Sequence, residues 1–409
     1  MTQEQIASLA PQFSVYLEGF RPYFATKDGF AHLRVYARGL ISDLSRKSVE
    51  PIALAGGCAV RTLQEFLTFH AWDQDAVRDK LQRRTVARHL PAPGSDADPP
   101  AVIGIVDETS AVKKGTKTPG VQRQWCGEAG KTENCIVTVH LGCLCGEFKT
   151  LIDADLYLPK GWDQDRDRCA EAGIADNVVY RPKWQIALEQ IKRAMGNGVR
   201  FDWIVFDEGY GGKNPWLFEL DALGLHWIGE VPKNFLCWPT LPAYHSLQAP
   251  FAAKRADNAA TYSPAFRKRK WRRIKIAHQT QGPQYWLAKA VRVHLVKDGQ
   301  PTERKYWLIV AKNQKTGQIK YFVSNAPPKT ALKLMLPVAF RRWNVEHTFR
   351  LAKSQIGFTH YEGRKYKGLM RHMVLCLMVM LFLAEQTQRL RGEKGKPSTQ
   401  PRVDLGTGG

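Results

Sequence analysis

Two stretches of similar pattern constrain the fold of this chain more than any other feature. In residues 101–110, six mostly β-branched or small apolar residues lead into Asp107, and in residues 201–210 a second apolar run leads into Asp207. A continuous apolar run of this length predicts a buried strand. A single acid after such a strand is typical of a turn cap. Because the pattern occurs twice, we predict two strands that each end at an acid and hold two carboxylates at one edge of a sheet.

The segments around these strands predict an α/β fold. After a long exposed turn over 113–130, the apolar pattern predicts strands, then a helix, a strand ending at Asp207, a second helix and a fifth strand. Three successive strands, a helix and a further strand with the second acid is the order of the ribonuclease H-like fold. The predicted elements are strands at 135–144, 149–158 and 225–231 and helices at 182–195 and 214–223.

The ends of the chain differ in composition from this core. Residues 1–90 have apolar residues at helical spacing and predict a helical DNA-binding domain. Within it, residues 48–67 have the outline of a helix-turn-helix with its second helix starting near Ala59, although ordinary bundle packing explains the pattern equally well. Residues 91–100, rich in Pro, Gly and Asp, predict a linker, and residues 391–409 predict a disordered tail.

Charge points to a nucleic-acid partner. The chain has 60 Lys and Arg against 38 Asp and Glu, a net charge of +22, which favours a polyanion. Residues 253–275 contain nine Lys or Arg and one acid, inside a segment, 232–328, that predicts a basic β-rich domain. Cations neutralise phosphates and aromatic rings stack on unpaired bases, although a solvated loop would also carry such charge. The candidate DNA contacts here are Arg267, Lys268, Arg269, Lys270, Trp271, Arg272, Arg273 and Trp238.

Cysteine usage and hydropathy predict a cytosolic protein. The eight cysteines form no Cys-x-x-Cys pair, so a zinc ribbon is not expected and the thiols are predicted to be free. The longest apolar run, 373–384, is too short to span a bilayer and predicts a core helix. No membrane partner is therefore expected.

A third acid occurs in a predicted helix over 337–353. On a helix, Arg342, Glu346 and Lys353 lie within about 40° of one another, so one carboxylate is flanked by two cations. Alone, this spacing is typical of surface ion pairs. Together with Asp107 and Asp207, it favours a third catalytic acid.

These residues resemble the acidic triad and the R-x3-E-x6-K signature of DDE transposases of the insertion-sequence 4 group. The segments Ile-Val-Asp-Glu-Thr, Phe-Asp-Glu-Gly-Tyr-Gly and Arg-Trp-x-Val-Glu, with Lys-Lys-Gly after the first, most resemble the insertion-sequence 701 family. The resemblance covers roughly residues 25–390. One departure is that the Tyr expected three positions before Arg342 is replaced by Ala339, with Phe340 beside it.

The resemblance implies a cut-and-paste transposase. Its catalytic core would comprise residues 101–231 and 329–390, interrupted by the 232–328 insertion. Two Mg²⁺ ions, replaceable by Mn²⁺, are expected, with Asp107 bridging both, Asp207 holding one and Glu346 the other. The expected partners are double-stranded DNA, as terminal inverted repeats and target, and a second copy of the chain, at the bacterial nucleoid. Further expected DNA contacts are Arg342, Arg350, Lys353, Lys113 and Lys114.

Two other functions fit part of this pattern. One is a transposase-derived DNA-binding protein without catalysis, which has no need of three acids with Arg342 and Lys353. The other is a different ribonuclease H-like nuclease, such as a junction resolvase, which has no need of a large basic insertion before the third acid.

Overall fold

The computed structural model describes residues 3–92, 101–241, 253–276, 282 and 284–394. Most of the predicted linker and the tail from residue 395 onward lie outside the described residues. The predicted start of the tail at 391 is wrong, because the last helix continues to Lys394.

The N-terminal part is helical, as the spacing of apolar residues predicts. The Gly56-Gly57 pair separates two short helices, so the predicted helix–turn–helix outline is confirmed as a pair of helices. Thr26 and Asp73 begin two of the longer helices by accepting hydrogen bonds from backbone N–H groups of the first turn. The five helices are α1 (Gln3–Glu18), α2 (Lys27–Ile41), α3 (Val49–Ala55), α4 (Val60–Thr68) and α5 (Gln74–His89).

A mixed sheet follows. Its first strand does not end at Asp107 as predicted but continues for five more residues, because Glu108 to Val112 remain paired with the third strand. The predicted exposed turn over 113–130 contains a short edge strand. The elements are β1 (Val102–Val112), β2 (Gln122–Cys126), β3 (Lys131–Cys145), β4 (Phe148–Leu156), α6 (Lys160–Asp163), α7 (Arg166–Ala172), α8 (Lys183–Gly196), β5 (Trp203–Phe206), α9 (Glu208–Gly211), α10 (Asn214–Ala222) and β6 (Trp227–Val231).

The topology around the two aspartates agrees with the ribonuclease H-like order. Strand β1 is antiparallel to β3 and parallel to β5, and β5 is parallel to β6. Strands β1, β5 and β6 therefore run in the same direction, and their carboxyl ends lie toward one edge of the sheet. The residues that follow β5 lie at this edge, on the side of the carboxyl-terminal half of β1.

The insertion extends this sheet. Strand order is β2-β3-β1-β5-β6-β12-β11-β10-β7-β8, with β4 on β3 and β9 on β10. The link is the antiparallel pairing of β6 with β12. The additional elements are β7 (Leu236–Trp238), β8 (Lys254–Arg255), α11 (Ala256–Tyr262), α12 (Pro264–Arg267), β9 (Arg272–Ile276), β10 (Gln284–Lys297), β11 (Gln300–Asn313) and β12 (Ile319–Ser324).

The predicted helix over 337–353 is divided in the structure. It comprises α13 (Leu332–Phe340), α14 (Trp343–Leu351) and a π-helical turn (Ala352–Ile356), with a break at Arg341 and Arg342. Pro337 lies inside α13 rather than in the first turn of one long helix. The break places Arg342 at the start of α14.

The last helix, α15 (Tyr366–Lys394), is the centre of the helical core. By length and composition it could cross a membrane, but 89% of its most apolar window is buried within the protein. The Tyr16 hydroxyl donates to the Met378 carbonyl at 2.8 Å, and the Phe13 and Phe382 rings pack 4.7 Å apart. The buried Arg371 guanidinium donates to the Phe66 carbonyl at the end of α4. The N-terminal helices thus pack against α15 in a shared core.

Candidate active site

Asp107 lies within a rigid part of the sheet. Its side chain is 12% exposed, and its Oδ1 accepts the Glu108 backbone N–H at 2.8 Å. Both neighbours of β1 in the sheet are paired with it, β3 on one side and β5 on the other. This fixes the carboxylate in position and leaves Oδ2 for other partners.

Asp207 directly follows β5 and caps the short helix α9. Its Oδ1 accepts the backbone N–H groups of Gly209 at 3.0 Å and Tyr210 at 3.4 Å. A Cβ at Gly211 would lie 2.0 Å from the Glu230 carbonyl oxygen, so only glycine allows α9 to pack this closely on β6. The tight turn therefore fixes Asp207, and it leaves Oδ2 for a ligand.

Arg342 connects the first acid to the third. Its Nη1 donates to Asp107 Oδ2 at 2.8 Å, and its Nη2 donates to Glu346 Oε1 at 2.9 Å. The i,i+4 spacing predicts the contact with Glu346. The contact with Asp107 joins residues 235 positions apart and is a product of the fold. The structure thus brings Asp107 and Glu346 to the same guanidinium.

The electrostatics of the site reflect burial and crowding of like charges. Burial raises the pKa of the Asp107 carboxyl to about 7; Arg342 opposes this rise and the Asp207 charge adds to it. Burial alone lowers the pKa of Arg342, but the acids Asp107, Glu346, Asp207 and Glu230 raise it above its ordinary value. An additional cation close to Asp107 would oppose the rise in its pKa, as Arg342 does.

Glu230 is an acid near this site that sequence reasoning missed. It lies in β6, accepts a 2.5 Å ion pair from Lys320 and adds to the negative field at Arg342. The signal in the sequence was an acid inside an otherwise apolar strand, Trp227–Val231.

Phe340, beside the position where the resemblance leads one to expect a Tyr, is a packing residue. Its ring is 5% exposed and contacts Trp286 at 4.7 Å, Trp343 at 4.6 Å and Phe322 at 5.5 Å. Ala339 is also buried. These contacts attach the α13–α14 junction to β10 and β12 of the insertion, so the ring is not available to DNA.

The other cations that the resemblance implies as DNA contacts divide into engaged and exposed side chains. Lys353 makes a 3.4 Å ion pair with Glu128. Lys113 donates to the carbonyls of Thr359 at 2.9 Å and Tyr361 at 2.6 Å, and burial lowers its pKa to about 8. Its ammonium is thus engaged with the backbone instead of facing a phosphate. Lys114 and Arg350 are exposed.

The basic segment of the insertion is exposed. Trp271 is 43% exposed, with the Lys289 ammonium 4.7 Å from its ring, and Arg273 stacks at 3.7 Å on Tyr285. Trp238 is 7% exposed and lies inside the sheet against β10, so its ring cannot receive a base in this arrangement. The exposed members of the predicted set are Arg267, Lys268, Arg269, Lys270, Trp271, Arg272 and Arg273.

The donor set fits a hard divalent cation. Within the described ranges, no three His, Cys, Asp or Glu side chains form a ready-made metal-binding group. Asp107 and Glu346 nevertheless already hold a cation between them, the Arg342 guanidinium. Carboxylate oxygens are the ligands that Mg²⁺ prefers. Asp107, Asp207 and Glu346 are therefore the residues that could hold such an ion.

Comparison with known proteins identifies the family. The family described as DDE superfamily endonuclease matches residues 19–283, a range that includes Asp107 and Asp207 and ends before Glu346. The chain is also similar to a probable transposase for insertion sequence element IS701 from Microchaete diplosiphon. The two are 27% identical over 361 residues, which cover 87% of this chain and 82% of the relative.

Proposed function

The chain belongs to the DDE superfamily endonucleases, and we propose that it is the transposase of an insertion sequence. It binds the terminal inverted repeats of its element, cleaves the DNA at their ends by Mg²⁺-dependent hydrolysis and joins the freed 3′-hydroxyl to target DNA. The observation that carries this proposal is the convergence of Asp107 and Glu346 on Arg342, with Asp207 held on the adjacent strand.

In this proposal the three acids hold the metal. Asp107, held in β1 by its pairing with β3, would hold the metal together with Asp207 and Glu346. Mg²⁺, or Mn²⁺ in its place, supplies activation of the attacking hydroxyl and stabilisation of the leaving oxygen when bound. Burial of Asp107 keeps bulk water away from its own carboxylate, which strengthens the interactions of that charge.

The two chemical steps follow from one geometry. In the first, a water oxygen attacks the phosphorus at the element's end, the bond from phosphorus to the 3′ oxygen breaks, and that oxygen takes up a proton. In the second, the freed 3′-hydroxyl attacks a target phosphorus, loses its proton and displaces the target's 3′ oxygen. Arg342 and Lys353 hold the phosphates beside the reacting bond.

DNA is held mainly by the insertion. The exposed cations of 267–273 bind phosphates. Of the two candidate tryptophans, Trp271 is exposed and stacks on an unpaired base, whereas Trp238 is buried. Arg350, one helical turn after Glu346, adds exposed charge beside the third acid, and the exposed Lys114 follows β1. The α3–α4 pair places Arg61 and Gln64 on the exposed side of α4, and we assign reading of the repeat to this helix. Pairing of two DNA ends requires a homodimer, acting in the bacterial cytoplasm at the nucleoid.

Cleavage of a labelled duplex carrying the terminal inverted repeat tests the function. The native chain is expected to nick at the repeat boundary with Mg²⁺ and not with EDTA, and Glu346→Gln is expected to bind without nicking. Tight binding without nicking by the native chain would support a transposase-derived DNA-binding protein. Nicking of branched DNA alone would support a junction resolvase.

A further inference from the structure

The contacts of Arg342 bear on the order in which the site is filled. Its two terminal nitrogens donate to Asp107 Oδ2 and to Glu346 Oε1. The other oxygen of Asp107 is engaged by the Glu108 backbone N–H. A divalent ion shared by Asp107 and Glu346 would bind the same two carboxylates, and the positive charge of the guanidinium, 2.8 Å from Asp107 Oδ2, would repel it. The guanidinium and the ion therefore compete for these carboxylates.

Arg342 cannot leave the carboxylates without a replacement on both sides. Its side chain is 13% exposed and Asp107 is 12% exposed, so removing either partner leaves a buried charge uncompensated. The carboxylates need another cation and the guanidinium needs another anion. A DNA phosphate provides the anion, because a guanidinium binds two phosphate oxygens with the same paired geometry that it uses for carboxylates.

The surroundings give the guanidinium a route to DNA. Glu346 is 59% exposed, so one end of the ion-pair chain faces solvent, while Asp107 forms the buried end. Arg342 lies at the break between α13 and α14, and its neighbour Arg341 is exposed. A phosphate reaches the Arg342 guanidinium from the solvent side of Glu346 rather than through the buried Asp107.

We propose that Arg342 makes metal binding depend on DNA. Its guanidinium holds Asp107 and Glu346 until a DNA phosphate takes it up, and only then are both carboxylates available to the metal. The inference rests on the proposed function for the identity of the anion, and linkage requires the reverse effect, tighter DNA binding with metal present.

Mn²⁺ binding to the full-length chain, measured by calorimetry without and with a random-sequence duplex, tests the proposal. We expect the native chain to bind Mn²⁺ about tenfold more tightly with the duplex present. Arg342→Gln is expected to bind Mn²⁺ about tenfold more tightly than the native chain without DNA, and to lose the dependence on DNA. Arg341→Gln, which removes the exposed neighbouring cation, should behave as the native chain.

Equal Mn²⁺ affinity of the native chain with and without duplex would overturn the proposal, as would an unchanged affinity in Arg342→Gln. If that variant does not fold, the native chain suffices, because its DNA affinity must rise with Mn²⁺ by the same factor. These are binding measurements on a duplex without the repeat. Failure to nick the terminal repeat would therefore count against the proposed function and leave this result unaffected.

Discussion

In the acidic site the charged side chains are buried and paired with one another, whereas in residues 267–273 they are exposed. Asp107 and Arg342 are each less than 15% exposed and 2.8 Å apart. Arg267, Lys268, Arg269 and Lys270 have no side-chain partner within the described part of the chain. Buried charges cost desolvation and must be held in one geometry, while exposed charges act over a distance and tolerate variation. The two regions should therefore respond differently to the same kind of substitution.

The largest effect is expected at the acids. Asp207→Asn should reduce cleavage about a thousandfold or more, because a lost metal ligand removes several kcal/mol of transition-state stabilisation. DNA binding should remain, as the exposed cations are unchanged. Single-turnover cleavage and a binding titration on the same duplex measure both. Glu208→Gln, an exposed acid next in sequence, is the control. Loss of binding in Asp207→Asn would assign this residue a structural role.

Stability in EDTA should depend on pH through Asp107. Its carboxyl has a folded pKa of about 7 against an ordinary 3.8, so the folded chain binds this proton more tightly than the unfolded chain. The resulting stabilisation is complete below about pH 4 and is lost as pH rises through 7; it amounts to at most about 4 kcal/mol. Melting curves from pH 5 to 8 should fall less steeply for Asp107→Asn. Equal slopes would contradict the burial argument.

A smaller effect is expected at the exposed aromatic of the insertion. Trp271→Ala should weaken DNA binding by about 1–3 kcal/mol of lost stacking energy and so slow cleavage at subsaturating DNA. Trp271→Phe should recover part of the lost binding energy. Trp125→Ala provides a matched control, since Trp125 is 63% exposed but lies on the opposite edge strand of the sheet. Equal losses in the two alanine variants would show that the effect is not specific to the insertion.

The smallest effect is expected when a few cations of the basic surface are removed. Lys268→Ala with Lys270→Ala should weaken DNA binding and lower the slope of log affinity against log salt by about 1.8, since each phosphate contact contributes about 0.9. Cleavage at saturating DNA should not change. Lys27→Ala with Lys192→Ala removes two exposed lysines elsewhere. An unchanged slope in the Lys268 and Lys270 variant would show that these cations do not contact phosphates.

The same contrast explains how far the sequence alone could predict the site. Short-range patterns were sufficient to predict β5 with Asp207 directly after it. They were also sufficient to predict that Arg342 and Glu346 lie on the same face of a helix. The end of β1 was predicted wrongly, because Thr109 and Ser110 are polar yet remain paired with β3. Register is set by the partner strand, which a local pattern does not contain.

Long-range contacts account for the other differences. The Arg342–Asp107 ion pair depends on how α14 packs on the sheet. Neither segment alone indicates that the two side chains lie within hydrogen-bonding distance. Burial of Trp238 and Phe340 likewise depends on β10 and β12. An aromatic residue in a basic segment has the same local pattern whether it is exposed or buried. Only the structure shows whether such a residue is exposed or buried.

The pairing of β6 with β12 has a consequence for protein engineering. Val231, at the end of β6, and Tyr321, in β12, are register partners, so the chain enters the insertion and returns from it at adjacent positions of one sheet. A segment of another size could replace the residues between these two points without changing the distance that the main chain must span. Exchange of this segment would leave Asp107, in β1, and Asp207, directly after β5, in their places.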